Sequence, residues 1–422
     1  MSTTDPLRLT VDETGPGVVR ELTGDQLAGL LGVPGLVRLS PVGGGRWRLA
    51  GNQKAGLIRL RTPSGAAIQL RLRPKLPVRN LLFLLSYSAA DPWLRETVDT
   101  AEADDLPPAL ADLLARVTRR TLDAGVLHGY RTVEEELPLI RGRIRTADQL
   151  RRVGLPLPVA VRYDDHTPDI AENRILLAAL HRAARLPELP VRTGLALRHL
   201  AHRLDGVHLP PPGAPLPHWT QNRLNSRYAP ALRIAELLLS DRSVDPDGQL
   251  PTTADGFVLA MPAVFERFLT LALTDALARH GVRCAAQERH HRLDQAGHVR
   301  LRPDLVLYRA GRTVSVVDAK YAARHAPAPP TEHLYQLLGY CTALGLPHGH
   351  LVYAATSRDG PTEHVVRRAG ISVTAHALDL DRPPPELLGA VSELAGLIAN
   401  ARDTGGLPSP AEADVPPGAT EQ

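Results

Sequence analysis

Among its charged residues, this chain has least of lysine. It carries 49 basic side chains, and only Lys54, Lys75 and Lys320 are not arginine. Cysteine is nearly absent too. Cys284 and Cys341 are too few and too far apart for a disulfide framework or a cysteine zinc site. They read as buried, reduced thiols of a cytoplasmic protein. Aromatics make up 4% of the residues, so the cores must be built from Leu, Val and Ala. The longest unbroken apolar run, Ile175 to Leu180, is far too short to span a bilayer. The N-terminus offers Thr, Asp and Glu rather than a basic and an apolar stretch, so no secretory signal is expected. No lysine follows a glycine, which excludes a Walker A phosphate loop. Any nucleotide energy must therefore come from another chain. No Gly-x-Ser-x-Gly elbow is present, which argues against a serine hydrolase.

What is present is ordinary for a globular protein: 43% hydrophobic residues, 22% charged residues and a net charge of +4. That charge permits contact with nucleic acid without requiring it. The length, 422 residues, allows two or three domains, and the expected fold class is multidomain α+β. Residues 1–78 read as β-rich, with strands at Trp47–Ala50, Leu57–Arg61 and Ala67–Leu72, and a helical piece at Asp25–Leu31. Residues 79–250 read as mainly helical. Leu110, Leu113, Leu114 and Val117 form one apolar face, and Thr167-Pro168-Asp169 reads as a capped helix start. A β-like stretch, Glu134–Arg143, interrupts the helices, and proline-rich Leu209–Pro217 must be extended. A turn-rich piece, Asp245–Gly256, leads into residues 251–402. There the order is helix (Pro262–His280), strand (Val299–Tyr308), strand (Thr313–Lys320), helix (Thr331–Leu344) and strand (Gly349–Ala355). That order predicts a mixed sheet flanked by helices. Residues 403–422, rich in Pro, Gly and acids, read as a disordered tail.

The third region holds the chemistry. In the strand ending Asp318-Ala319-Lys320, residues two apart share a face, so Asp318 and Lys320 project together. The preceding strand carries Pro303-Asp304. A three-residue loop at Arg309-Ala310-Gly311 places Asp304 opposite Val316, on the face of Asp318. A two-residue loop without a bulge places it on the wrong face. Two aspartates on one face repel unless a cation or proton lies between them. Hard divalent ions such as magnesium favour carboxylate oxygens and retain waters. A lysine beside them can orient water or stabilise charge on a phosphate oxygen, as phosphodiester hydrolysis requires. Glu266, on the helix before, is a further candidate. So are Gln336 and Tyr340, four apart on one helix face. Each piece alone is more simply a surface ion pair or a solvated helix residue. Their ordered combination is what points to a nuclease.

On these residues the C-terminal third resembles the PD-(D/E)xK nucleases. The whole chain resembles the McrC family, the nuclease subunits of McrBC modification-dependent restriction systems. Matching segments include Arg73-Pro74-Lys75, Arg141-Gly142-Arg143, Asn173-Arg174, Asn222–Tyr228, Phe265-Glu266, Arg302-Pro303-Asp304, Asp318-Ala319-Lys320 and Tyr335-Gln336 to Tyr340. The resemblance implies a magnesium site, with manganese able to substitute, held by Asp304 and Asp318 and supported by Glu266. Lys320 would assist the attacking water and Gln336 would line the site. It implies double-stranded DNA with modified cytosine (5-methylcytosine) as substrate, and a role in phage defence. It also implies a McrB-like AAA+ GTPase hexamer as partner, which binds the GTP, docks the N-terminal region of this chain and is stimulated by it. A vestigial nuclease retained for docking and GTPase activation, and a nuclease acting alone, stay open as alternatives.

Other clusters read more simply. His290, His291 and His298 lack a further Cys or His to complete a metal site and read as polar loop histidines. Arg141-Gly142-Arg143-Ile144-Arg145, and Arg71 with Arg73, suit phosphates but read first as solvated faces. Gly43–Gly45 reads as a loose loop.

Overall fold

Alternation of apolar and polar residues builds the N-terminal strands. The structure, a computed structural model, describes residues 6–87, 105–151, 157–211, 214–239, 255–322, 329–355 and 360–401. Its contacts divide it into two units: residues 1–78 with 89–259, and residues 79–88 with 260–422. Of the turn-rich piece expected at Asp245–Gly256, residues 245–254 lie outside the described residues, as does the tail expected at 403–422.

The first unit opens with β1 (Leu7–Asp12), β2 (Val18–Glu21), α1 (Gly24–Leu31), β3 (Val37–Gly43), β4 (Arg46–Gly51), β5 (Lys54–Arg61) and β6 (Ala67–Arg73). Thr23 and Gln26 close a reciprocal capping box at the start of α1, which satisfies donors the first turn leaves free. Strand β6 buries Ile68, Leu70 and Leu72, the face its alternation predicts. It pairs in parallel with β1 and antiparallel with β5. β6 leads to α2 (Val78–Tyr87), which belongs to the second unit from Arg79 on.

Within the first unit follow α3 (Leu106–Asp123), β7 (Gly129–Leu137), β8 (Arg143–Ile144), α4 (Thr146–Leu150), β9 (Val159–Thr167), α5 (Ala171–Ala183), α6 (Val191–His202), α7 (Ala229–Leu239) and, up to Leu259, β10 (Asp255–Ala260). β10 joins the sheet of β1, β6 and β5, so this late segment completes the N-terminal core. Helix α3 buries Leu110, Leu113, Leu114 and Val117 as expected. Residues 209–211 and 214–217 carry neither helix nor strand.

The helix expected to open at Thr167-Pro168-Asp169 begins instead at Ala171, with Ile170 as its N-cap. Thr167 accepts from the Asp169 amide, and Asp169 is drawn into a buried ion-pair node rather than facing the helix dipole. Arg174 binds it through two nitrogens at 2.7 and 2.5 Å, Arg131 at 2.6 Å, and the His208 amide at 3.0 Å. These donors hold the Asp169 carboxyl well below the usual carboxylate range, the Arg174 hydrogen bonds first. The arginine pieces are mostly committed to acids in the same way. Arg71 pairs with Asp105 and Glu188, and Arg73 with Asp12. Arg141 pairs with Asp165 while stacking on Tyr163, and Arg145 pairs with Glu134 and Asp148.

The second unit contains α8 (Met261–Ala278), β11 (Arg283–Ala286), β12 (Leu305–Arg309), β13 (Arg312–Lys320), α9 (Thr331–Leu344), β14 (His348–Ala354), β15 (Thr362–Val365), β16 (Ser372–Leu378) and α10 (Pro384–Ala399). The strand expected from Val299 starts later, at Leu305. Six strands form one mixed sheet in the order β11-β12-β13-β14-β16-β15. The run β13-β14-β16 is parallel, and the other neighbours are antiparallel. Helix α9 covers one face through Leu337, Tyr340 and Cys341, packed on Val316, Leu351, Tyr353, Val373 and Ala375. Helices α8 and α10 pack against each other and on β13 and β16 respectively. Each fully buried aliphatic side chain here contributes roughly 1.5–3 kcal/mol. The two cysteines are free thiols, Cys341 fully buried and Cys284 half-buried.

Candidate active site

The site forms where β12 and β13 leave their hairpin. Ala310 and Gly311 have φ of 49° and 80°, a two-residue turn with both central residues left-handed. Arg309 therefore pairs with Arg312 and Tyr308 with Thr313, not Tyr308 with Arg312 as a three-residue loop requires. The register then slips by one: Leu307 pairs with Ser315, leaving Val314 as the extra residue of a bulge. Of the two ways to the required parity, an odd-length loop or a bulge, the chain uses the bulge. Leu305 pairs with Val317, so the next step of the ladder sets Asp304 against Asp318. Without the bulge, Asp304 would face Val317, whose side chain points to the other side of the sheet.

The backbone N–H of Ala319 donates to Asp304 Oδ2 at 2.8 Å, which ties the first aspartate to the strand of the second. Asp318 is 2% exposed, and Lys320 Nζ lies 2.6 Å from its Oδ2. The same ammonium donates to Gln336 Oε1 at 2.7 Å. Gln336 Nε2 donates to the Tyr340 hydroxyl at 2.8 Å, and that hydroxyl donates to the Arg302 carbonyl at 3.1 Å. Lys320 is thus held from two sides, by a carboxylate on its own strand and an amide on α9.

Glu266 reaches the site from the second turn of α8. The Gln287 side chain donates to it, and the Arg302 guanidinium donates to Gln287. The Gln287 amide also donates to the Asp304 carbonyl at 3.1 Å. Gln287 and Arg302 carried no signal of their own in the sequence beyond the place of Arg302 beside Pro303-Asp304. Only folding brings residue 287 between 266 and 302.

The electrostatics match the geometry. Burial, then the charges of Asp318 and Glu266, push the Asp304 carboxyl up to about 7. Burial raises Asp318 too, against the opposing pull of Lys320. Burial pushes the Tyr340 phenol up to about 12, so it serves as a neutral hydrogen-bonding group.

Close packing keeps α9 in place. A side chain at Gly349 would meet Cys341 Sγ at 2.8 Å and Leu337 Cδ2 and Val316 Cγ1 at 3.1 Å. Glycine there lets α9 approach the sheet closely enough for Gln336 to reach Lys320.

The five candidate residues Glu266, Asp304, Asp318, Lys320 and Gln336 therefore lie in one neighbourhood of the second unit. The three acids are not closed as tightly as a preformed ligand set. Among the described residues, the group whose ligand atoms all lie within 4.8 Å of one another is Glu288, His290 and His291. His298 stands apart from it, its Nδ1 3.9 Å from Asp294.

The model of the McrBC 5-methylcytosine restriction system component family matches residues 52–354. The chain belongs to that family. Among solved structures, it is similar to a chain of the refined half-complex from a tetradecameric assembly of Thermococcus gammatolerans McrB AAA+ hexamers with bound McrC. The TM-score is 0.54 at 16% identity, over 93% of this chain and 100% of that one. A chain of the Thermococcus gammatolerans McrBC complex aligns with a TM-score of 0.40 at 17% identity, over 64% of this chain and 88% of that one. The first likeness is one of fold, a mixed α/β architecture, and the second is too loose to extend it. No curated protein matches this member of the McrBC family. No described helix is long and apolar enough to cross a membrane.

Proposed function

We propose that this chain is the magnesium-dependent DNA endonuclease subunit of a McrBC-like modification-dependent restriction system, with a PD-(D/E)xK-type nuclease domain in its C-terminal unit. It cleaves DNA carrying modified cytosine together with a GTP-driven AAA+ partner, whose hydrolysis it stimulates. One observation carries this reading: the bulged hairpin aligns Asp304 with Asp318 while Lys320 sits 2.6 Å from Asp318.

The residues fit a hard divalent cation. Asp304, Asp318 and Glu266 supply oxygen donors; burial first, and then the charges of Asp318 and Glu266, raise the Asp304 carboxyl, and a bound cation offsets the cost of ionising it. Their wider spacing suits an ion that keeps several of its waters. Bound there, magnesium would supply Lewis acidity at the scissile phosphate and lower the proton affinity of a water. Lys320, steadied by Asp318 and Gln336, orients the attacking water and stabilises charge on a phosphate oxygen. The Ala319 amide fixes Asp304, and Gln287 fixes Glu266.

The test is cleavage of 5-methylcytosine-containing plasmid by the purified chain with its AAA+ partner, magnesium and GTP. Wild type is expected to cut, whereas Asp304→Ala and Lys320→Ala abolish cutting and leave stimulation of the partner's GTPase intact. Equal cutting by these variants overturns the site assignment. GTPase stimulation without cutting by any form identifies a vestigial nuclease, and cutting without the partner a stand-alone one.

A further inference from the structure

Glu288, His290 and His291 follow β11 in one short loop, and their ligand atoms all lie within 4.8 Å of one another. Glu288 Oε2 stands 2.9 Å from His291 Nε2 and 3.9 Å from His290 Nε2. Ligands about 2.0–2.1 Å from a tetrahedral zinc ion are separated by about 3.4 Å. The observed distances bracket that value, so small side-chain rotations close the set. The two imidazole rings lie side by side, their centroids 4.0 Å apart.

The support around this cluster is built in the way metal sites are. The Tyr308 hydroxyl on β12 donates to Glu288 Oε2 at 2.6 Å, and the Arg283 guanidinium stacks on the Tyr308 ring at 4.2 Å. A ligating carboxylate oriented by a further hydrogen bond is the usual second layer of such a centre. The loop backbone is pinned at both ends. The Gln287 amide donates to the Asp304 carbonyl at 3.1 Å, and the Leu301 amide donates to the His291 carbonyl at 3.1 Å. Arg292 and Arg300 close a β-bridge just beyond. His291 is mostly buried and His290 exposed, with side-chain accessibilities of 11% and 67%, so one side of the cluster remains open to an entering ion.

We propose that Glu288, His290 and His291 form a second metal site, selective for a borderline transition-metal ion such as Zn²⁺, with an open coordination position. Two imidazoles and one carboxylate favour zinc, cobalt or nickel over magnesium, which takes oxygen donors. The site is separate in chemistry from the acidic site at Asp304 and Asp318. Its loop begins at Gln287, the residue that holds Glu266, so an ion here stiffens the support of the acidic site without entering it. No further Cys or His completes the set; the third ligand is the carboxylate of Glu288.

The experiment is titration of the chelator-treated full chain with Co²⁺ and Zn²⁺. Co²⁺ absorption in the visible reports the ligand geometry, and calorimetry reports the Zn²⁺ stoichiometry. One equivalent is expected to bind tightly, to survive in Asp304→Asn, and to weaken at least about tenfold in both His291→Ala and Glu288→Gln. His290→Ala, at the exposed ligand, is the variant least able to disturb the fold and is expected to weaken binding likewise. Zn²⁺ binding that is unchanged in all three variants, or that is lost in Asp304→Asn, overturns the proposal. Neither readout depends on DNA cleavage, so the outcome stands whether or not the endonuclease reading holds.

Discussion

At the scale of single residues, Lys320 is the clearest choice the chain makes. Arginine serves almost every other basic position. Here the cation must fit between the Asp318 carboxylate at 2.6 Å and the Gln336 amide at 2.7 Å, close enough to a second carboxylate, Asp304, to act on its charge. A compact ammonium can do this, whereas a planar guanidinium occupies the space a water needs. Lys320→Arg is expected to lower cleavage by roughly 100-fold or more while binding of the AAA+ partner persists. Plasmid cleavage and co-sedimentation on the same preparation check this, and full cleavage sinks the role given to the lysine. Asp304 makes a prediction about pH. Its folded pKa of about 7 stands above the ordinary 3.8, so the folded, metal-free chain binds more protons than the unfolded chain over that interval. Stability therefore falls as pH rises from about 4 to 7. Asp304→Asn should raise the melting temperature of the metal-free protein at pH 8 and change it little at pH 4. Magnesium should raise the wild-type melting temperature at pH 8 and that of the variant much less. An equal magnesium response in both would place the ion elsewhere.

Between residues and the molecule lie the elements, and here a hairpin sets the chemistry. The Ala310-Gly311 turn fixes one end of the β12–β13 register, and the bulge at Val314 shifts it so that the two aspartates meet. Ala310 adopts φ of 49°, a left-handed conformation that a β-carbon disfavours and asparagine tolerates better. Ala310→Asn is expected to stabilise the second unit by about 1 kcal/mol without changing cleavage, as measured by denaturant unfolding. Helix α9 offers the opposite test. Gly349→Val would thrust side-chain carbon into Cys341, Leu337 and Val316. Overpacking of this kind costs about 1–3 kcal/mol and should push α9 off the sheet. Cleavage is expected to fall together with melting temperature. A variant that melts lower but cleaves normally would show that the contact from Gln336 to Lys320 is dispensable.

For the whole molecule, the division into two units has a measurable consequence. Asp169, 4% exposed and bound by Arg174, Arg131 and His208, ties β7, β9 and α5 of the first unit together. Its depressed pKa means that this stabilisation is present above the ordinary carboxylate pKa and is lost as pH falls below it. Asp169→Asn should cost about 2–3 kcal/mol in the first unit. Hydrogen exchange should then quicken in β9 and α5 while β13 and β14 keep their protection. Faster exchange in all four elements would mean that the units unfold as one.

Much of this was legible in the chain itself, for local reasons. Strands such as β6 and helices such as α3 and α9 follow from apolar period, and the projection of Asp318 and Lys320 to one side follows from the period of two within a strand. The order of Glu266, Asp304, Asp318, Lys320 and Gln336 along the sequence was enough to suggest the chemistry, and the family, that of McrBC restriction system components, was legible in the sequence as well. Tertiary structure decided the rest, because register and long-range pairing are not written in local pattern. A bulge rather than a longer loop aligned the aspartates, since a two-residue turn and a one-residue slip give the same parity as an odd loop. Only folding placed Gln287 against Glu266 and Arg302, completed the N-terminal sheet with β10, and drew Asp169 from a helix start into a buried node. It also turned two loop histidines and a neighbouring glutamate toward a common point, which their spacing alone did not reveal. These outcomes depend on which distant surfaces meet, and only the packed chain fixes that.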